Sequence, residues 1–458
     1  MRQRTVFTCS NCDSQYPKWS GRCLSCGKWN TLIEQQISVS SGTNTAAQSV
    51  KPSRLSEVAS DPRLRIATGI DELDAILGGP QSPGAVAGSL MLLGGDPGIG
   101  KSTLALQAAL AFSSRGMGVL YISGEESLPQ IRMRADRLGS AESGLQVLAA
   151  TDLDIVVATL ESSRPKFAVI DSIQTMFSES SQGVAGGVGQ VSNACNRIMQ
   201  AIKRVDCATL IIGHVTKDGN LAGPRLLEHM VDVVMYLEGD RSLPYRILRC
   251  TKNRFGPTDE VGVFDMQEAG MRAVTDPSAF FLSERTSRKP GDAVGCTIEG
   301  TRPLLLEIQA LTAKTQFTNP KRTASGMDFN RLQLITAVLQ QRLRFKLYEF
   351  DVFASVAGGY RISEPGCDAA IAMAIVSSFT DVPIPDDALI IGELGLAGDI
   401  RKVSLLDRRL REAQKMGFKR ILVPAASVAS LRSGGVRSSS SVVPVADLQQ
   451  AAKILLKK

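Results

Sequence analysis

Histidine and tryptophan are almost missing from this chain of 458 residues, which holds only His214, His229, Trp19 and Trp29. Two histidines exclude any site that needs several imidazoles. Long apolar runs are also missing. None approaches the roughly 20 residues a membrane-spanning helix requires, so no membrane partner is expected. No apolar leader stands at the start, where Met1-Arg2-Gln3-Arg4 runs towards cysteines, so a secretory signal is not expected. Neither sign of charge dominates. With 52 Lys and Arg against 45 Asp and Glu the net charge is +7, compatible with a polyanionic partner without requiring one. What remains is 43% hydrophobic and 21% charged, the composition of a globular protein too long for one ordinary core, so two or three domains are expected.

The strongest local signal is Gly95-Asp96-Pro97-Gly98-Ile99-Gly100-Lys101-Ser102-Thr103. It satisfies G-x-x-x-x-G-K-[ST] at every fixed position, after an apolar run at 90–94 and before a helical stretch. Glycines let the backbone curl so that its N–H groups face phosphates, and the following helix N-terminus adds partial positive charge. Lys101 is positioned to reach the β- and γ-phosphates of ATP, and the Ser102 hydroxyl to ligate Mg²⁺. A nucleotide site without a secretory signal points to the cytoplasm.

Four of the nine cysteines cluster in residues 1–33 as Cys9-x-x-Cys12 and Cys23-x-x-Cys26. Two such knuckles suit one closed tetrahedral site, and a module this small needs the metal to fold. A structural Zn²⁺ is expected there, against the alternatives of a redox pair or disulfides. Trp19 and Trp29 lie in this module, either capping its small core or stacking on a partner such as an exposed base. The other five cysteines are scattered, as buried reduced thiols are. Residues 34–55 read as a flexible linker rich in Ser, Thr, Ala and Gln. Residues 56–285 alternate β-branched runs with helical stretches, the pattern of a doubly wound, mainly parallel sheet with its ligand at the strand C-termini. Residues 283–291 look like a hinge, and residues 292–458 begin a second α/β pattern.

Candidate catalytic groups follow from the strand ends. Glu125 and Glu126 close the run at 118–123, where a carboxylate can orient an attacking water; the alternative is a pair of solvated acids at a helix start. Asp171 closes the run at 167–171 as the magnesium-side acid, or else as a helix N-cap. Two loops at strand ends, 174–190 and 215–225, are candidates for contacting nucleic acid in a pore. His214 at the root of the second is either a γ-phosphate sensor or a buried structural histidine. Lys252-Asn253-Arg254-Phe255-Gly256 places two cations beside an Asn. It is either a solvated turn or a bridge whose Lys252 and Arg254 touch a neighbouring subunit's γ-phosphate.

The four-cysteine module, the loop from Gly94 to Thr103 and Lys252-Asn253-Arg254-Phe255-Gly256 together resemble the bacterial RadA family of RecA-like recombination and repair ATPases, over essentially the whole chain. The resemblance implies a RecA-like ATPase core behind a zinc ribbon, in a hexameric ring stimulated by DNA. It implies branch migration or helicase-like unwinding on single-stranded and branched DNA, alongside a RecA-type recombinase. Residues 292–458 resemble the Lon protease domain. The positions of the Lon Ser–Lys dyad hold Asp368 and Asp407, neither of which can act as nucleophilic hydroxyl or neutral amine. A protease-shaped scaffold without peptidase activity is therefore expected, with Arg342, Arg344, Lys346, Arg401, Lys402, Arg408, Arg409 and Arg411 as candidates for a duplex-binding face. The alternatives are an ATP-dependent protease or a regulatory ATPase acting on protein.

Overall fold

The computed structural model describes residues 2–9, 15–25, 27–39, 54, 65–79, 82–139, 144–181, 183–214, 224–240, 243–283, 285, 289–428 and 441–456. Two compact units divide it, residues 1–258 with 264–273, and residues 259–263 with 274–458.

The first unit begins with a small antiparallel sheet, β1 (Arg2–Cys9) between β2 (Gln15–Tyr16) and β3 (Leu32–Val39). Its core is Cys9, Cys23 and Leu32, with Phe7 and Tyr16 packed against them. Trp19 and Trp29 are not part of it. They are 60% and 70% exposed, which removes the core-capping alternative.

Then come β4 (Arg65–Ile66), α1 (Asp71–Gly78), β5 (Ala85–Val86), β6 (Leu90–Gly95), α2 (Lys101–Ser114), β7 (Val119–Ser123) and α3 (Leu128–Arg137). They are followed by β8 (Gln146–Ala149), α4 (Leu153–Ser163), β9 (Phe167–Asp171), α5 (Val188–Val205), β10 (Ala208–Ile212) and α6 (Pro224–Glu228). The sheet is completed by β11 (Val233–Glu238), β12 (Tyr245–Asn253), β13 (Val261–Gln267) and β14 (Gly270–Ala273). The nine strands lie in the order β14-β13-β12-β11-β6-β10-β9-β7-β8. From β11 to β8 every neighbouring pair is parallel, and β12 turns back antiparallel on β11. Central strands are buried on both faces, so they read as continuous apolar runs. Successive side chains still point to opposite faces. Met91 and Leu93 pack with α2, whereas Leu90 and Leu92 pack with α4 and α5. The RecA-like core is thus two hydrophobic layers divided by one sheet, and β6, β7, β9 and β10 deliver their C-termini to one edge.

In the second unit, α7 (Pro277–Leu282) packs on a four-stranded sheet ordered β15-β16-β18-β17. These strands are β15 (Asp292–Glu299), β16 (Arg302–Lys314), β17 (Arg322–Ser325) and β18 (Phe350–Val356), with α8 (Phe329–Arg342) inserted before β18. The Ala- and Ile-rich α9 (Asp368–Thr380) is buried along almost its whole length. A parallel trio follows, β19 (Ala388–Ile390), β22 (Arg420–Pro424) and β23 (Val442–Val445), with the β20–β21 hairpin (Glu393–Leu394, Ile400–Arg401) and α10 (Leu406–Lys415) inserted. A last helix spans Leu448–Leu455. Among the described residues no helix is long and apolar enough to cross a membrane.

Candidate nucleotide site

The phosphate loop leaves β6 through three glycines with positive φ, Gly95 (145°), Gly98 (74°) and Gly100 (115°). A side chain at Gly100 is disfavoured by its φ, and its Cβ would also displace the terminal methyls of Met271 and Met266. Asp96, Pro97 and Gly98 are exposed, while Ile99 is buried and anchors the turn. Arg246 of β12, itself buried, braces the loop by donating to the Ile99 carbonyl at 3.2 Å. Ser102 and Thr103 are half-buried in the first turn of α2. Lys101 is buried at the start of that helix, donating to the carbonyls of Gly95 (2.8 Å) and Asp96 (2.9 Å). Burial pulls its pKa below the ordinary lysine value, against the opposing charges of Asp171, Asp96 and Glu125.

Asp171 is 3% exposed at the end of β9. Its Oδ2 accepts from the Tyr121 hydroxyl at 2.8 Å, and its buried Oδ1 has no hydrogen-bond partner. Burial, then the Asp171 charge, pushes the Tyr121 phenol well above its ordinary pKa, so it stays a donor. Glu125 Oε1 accepts from Ser172 Oγ at 2.5 Å and lies 3.1 Å from His214 Nε2. One ligand atom each from Glu125, Asp171 and His214 falls within 4.8 Å of the others. The two carboxylates, with the buried Asp171 Oδ1 orphaned, fit a hard divalent cation, whereas the His214 nitrogen is not the oxygen ligand such a cation prefers.

The two adjacent glutamates part company. Glu126 turns to an ion pair with Arg134 of α3, and burial raises its pKa against that pull. Only Glu125 joins Asp171 and His214. Loop 174–190 is tied at its base, where the buried Gln190 amide bonds Ser178 N–H (3.1 Å), Ser178 O (3.0 Å) and Ser181 O (2.8 Å). Val184 at its tip is 77% exposed. Of the second loop, residues 215–223 lie outside the described residues, as do Cys12 and Cys26 of the metal module and most of the 34–55 linker. Cys9 and Cys23, one from each knuckle, are fully buried in one cluster, the arrangement a shared four-sulfur site needs.

The Lys252–Gly256 segment sits elsewhere. Lys252 pairs with Val234 of β11, which is level with Leu92 of β6, and Asn253 with Val233, level with Met91. These levels lie in the N-terminal half of β6, whereas the phosphate loop leaves the other end at Gly95, about 10 Å along the strand from the level of Lys252 and about 13 Å from that of Asn253. Lys252 Nζ donates to the carbonyls of Glu228 (2.7 Å), His229 (3.3 Å) and Val231 (2.8 Å), closing the end of α6. Asn253 Nδ2 does the same for α1 through Ile76 (3.3 Å) and Leu77 (3.0 Å). Arg254 pairs with the buried Asp232 at 3.1 Å, yet its side chain is 56% exposed.

In the second unit Asp368 opens α9, buried and gripped on both oxygens by the Arg331 guanidinium, at 2.6 Å on Oδ1. Leu394 N–H completes its shell at 3.1 Å. Cys367 beside it is fully buried, and that burial pushes its thiol far above the ordinary range, so it is no nucleophile. Arg409 departs from the surface role expected of it. It is fully buried, with Nη1 and Nη2 on Glu364 at 2.9 and 3.0 Å and Nε on the Ser404 carbonyl at 3.0 Å.

Sequence reasoning missed Ser172, Tyr121, Arg246 and Arg331. Ser172 adjoins Asp171 and could have been picked by position. Nothing local marks the other three, because each acts on a residue distant in sequence.

Comparison with known proteins agrees with this geometry. A model described as AAA domain matches residues 73–220, a rubredoxin metal binding domain matches 7–34, and subunit ChlI of Mg-chelatase matches 356–427. A relative from Bacillus subtilis (strain 168) is 45% identical over 433 residues, 93% of this chain and 94% of its own length. One from Brucella abortus (strain 2308) is 46% identical over 439 residues, 93% of each. One from Halalkalibacterium halodurans is 42% identical over 462 residues, 99% of each. All three are named DNA repair protein RadA.

Proposed function

The chain belongs to the bacterial RadA family of DNA repair proteins, and from that premise we propose that it is a DNA-dependent ATP hydrolase of recombinational repair, working in the cytoplasm. The observation that carries hydrolysis is the convergence of Lys101, Glu125 and Asp171 at one strand edge, on a loop whose glycines hold it open. Lys101 and the loop amides face the β- and γ-phosphates, and Glu125 orients the attacking water. Asp171 and Ser102 would hold Mg²⁺, which supplies charge neutralisation at the phosphates. Cys9, Cys12, Cys23 and Cys26 would hold a structural Zn²⁺.

A ring of subunits, six by resemblance, is supported by the strand register. Lys252–Gly256 lies at the sheet edge opposite its own phosphate loop, so any γ-phosphate it meets belongs to another copy. Arg254, the more exposed cation, is the one that reaches; Lys252 anchors α6, which follows the second loop in sequence. Loops 174–190 and 215–225 grip DNA phosphates in the ring, and turnover drives branch migration or unwinding alongside a RecA-type recombinase. Against the expected bounds of 1–33, 34–55, 56–285 and 292–458, β3 extends the metal module to Val39, so the linker begins after it, and α7 joins the second unit, so the ATPase ends near residue 273 and the Lon-like part begins near 274. The last is without peptidase activity, since Asp368 and Asp407 stand at the dyad positions and Asp368 is clamped by Arg331.

The test is ATP hydrolysis with and without single-stranded DNA at two salt concentrations. Stimulation that fades as salt rises is expected, since phosphate contacts release counterions. Turnover indifferent to DNA would overturn the reading in favour of a protein-directed ATPase.

A further inference from the structure

The metal module carries a feature that its folding does not use. Both tryptophans of the chain stand exposed on it, outside the core of Cys9, Cys23 and Leu32. They flank a single glycine. A Cβ at Gly21 would lie 3.5 Å from Trp29 Cζ3 and 3.9 Å from Trp19 Cη2, so the two indoles are neighbours with no side chain at residue 21 between them. The backbone under Trp29 is fixed. Arg22 and Trp29 form an antiparallel bridge, Asn30 N–H donates to Gly21 O at 2.9 Å, and Cys23 N–H to Lys28 O at 2.9 Å. The Arg22 guanidinium is tied to the Gly27 carbonyl at 2.8 Å and lies 6.0 Å from the Trp29 ring centroid. Residues 15–33 contain Lys18, Arg22 and Lys28 and no acid, and all three cations are exposed.

We propose that Trp19 and Trp29 form a stacking platform for unpaired nucleobases, with Lys18, Arg22 and Lys28 meeting the adjoining phosphates. Flat π-faces stack on any base, and cations around them neutralise the strand, the combination that single-strand binding without sequence preference requires. A purely apolar docking face for protein would not be ringed by lysine, which interfaces deplete. The bridge fixes the backbone under Trp29 before the ligand arrives, which lowers the ordering cost of binding. The proposal rests on the DNA-directed reading above and assigns a second, sequence-tolerant contact to the metal module.

Because the chain has no other tryptophan, its tryptophan emission, excited at wavelengths the six tyrosines do not absorb, reports on this patch alone. The full chain is titrated with an oligothymidylate of about 20 nucleotides, long enough to span a single-strand site, while the anisotropy of a labelled copy follows binding independently. Quenching that tracks anisotropy is expected, and an abasic strand of the same length should leave the emission unchanged. Trp19→Ala and Trp29→Ala should each weaken binding roughly 5- to 150-fold, the range of one lost stack. Trp→Phe, which keeps a ring, should restore part of it, and zinc content checks that each variant remains folded. Binding seen by anisotropy with constant emission and unaltered affinity of the variants would overturn the platform, leave the DNA-directed reading standing and turn the patch over to a protein partner. No binding by anisotropy would overturn both.

Discussion

Arg409→Met offers a sharp test of how the Lon-like half holds together. The guanidinium has no solvent exposure and joins α10 to Glu364, Ser404 and Cys296. Methionine fills similar volume but leaves the Glu364 carboxylate facing an apolar group and two carbonyls without their donor. Removing one partner of a buried pair costs about 3–5 kcal/mol, far more than the pair itself contributes. Glu364 keeps two backbone donors, Gly366 N–H at 2.9 Å and Ile298 N–H at 3.3 Å, which places the expectation at the lower end. At about 2–4 °C per kcal/mol for a domain of this size, the melting temperature should fall by roughly 6–12 °C. Calorimetry of the full chain measures it, and added ADP identifies the ATPase transition because only that one should rise with ligand. Glu364→Gln in the Arg409→Met background should recover about 1–2 kcal/mol by removing the stranded charge while keeping an acceptor. A fall under about 3 °C, or a weaker salt dependence of DNA binding without destabilisation, would refute the buried-pair account.

Other perturbations separate roles that sit side by side. Glu125→Gln should lower turnover about 10²- to 10⁴-fold with nucleotide binding intact, whereas Glu126→Gln, whose parent pairs with Arg134, should cost less than about tenfold; equal losses in a turnover assay would undo the distinction. Arg254→Ala should abolish DNA-stimulated turnover with only a small fall in melting temperature, because Arg254 is half-exposed and the buried Asp232 keeps the Leu90 N–H, while Lys252→Ala should lower that temperature further, since three carbonyls lose a charged donor of about 1.5–3 kcal/mol. A Lys252 variant of wild-type stability would refute its anchoring role. Chelation should release about one zinc per chain and change tryptophan emission without altering the ATPase transition, as a metal-dependent ribbon requires; a freshly reduced protein with no zinc would contradict it.

The apolar strands were legible because buried parallel strands leave an unbroken run. The run at 167–171 became β9 residue for residue, and the second α/β pattern from 292 onward formed its helices at Phe329–Arg342, Asp368–Thr380 and Leu406–Lys415. Strands that were missed are edge or irregular ones. β8 is half-exposed with no alternation, and β14 is four residues at the sheet margin. Within the site, Lys101 and Asp171 were legible because motif and strand end fix them locally. The choice between Glu125 and Glu126 was not, since it depends on Arg134 and His214, contacts made by folding. Arg409 looked like its exposed neighbours Arg408 and Arg411 because a helix shows its inward face only once its partners are known.

Glu125 is held through a single oxygen by two residues at the roots of the two loops: Ser172 just before loop 174–190, and His214 just before 215–225. A carboxylate already accepting two hydrogen bonds on one oxygen is less free to orient water, so DNA that shifts either loop changes the catalytic group through one bond. Any effect of DNA on nucleotide affinity is matched by an equal effect of nucleotide on DNA affinity, whereas the effect on turnover carries no such requirement. Ser172→Ala removes one restraint and leaves the His214 contact in place. Basal turnover should then rise by at most about 150-fold, the upper weight of one hydrogen bond to a charged group, while the ratio of DNA-stimulated to basal rate shrinks. Steady-state hydrolysis with and without DNA measures both. If Ser172→Ala lowers the two rates in the same proportion, Ser172 supports the geometry needed for chemistry instead of restraining it, and the link between the loops and Glu125 runs through His214 alone.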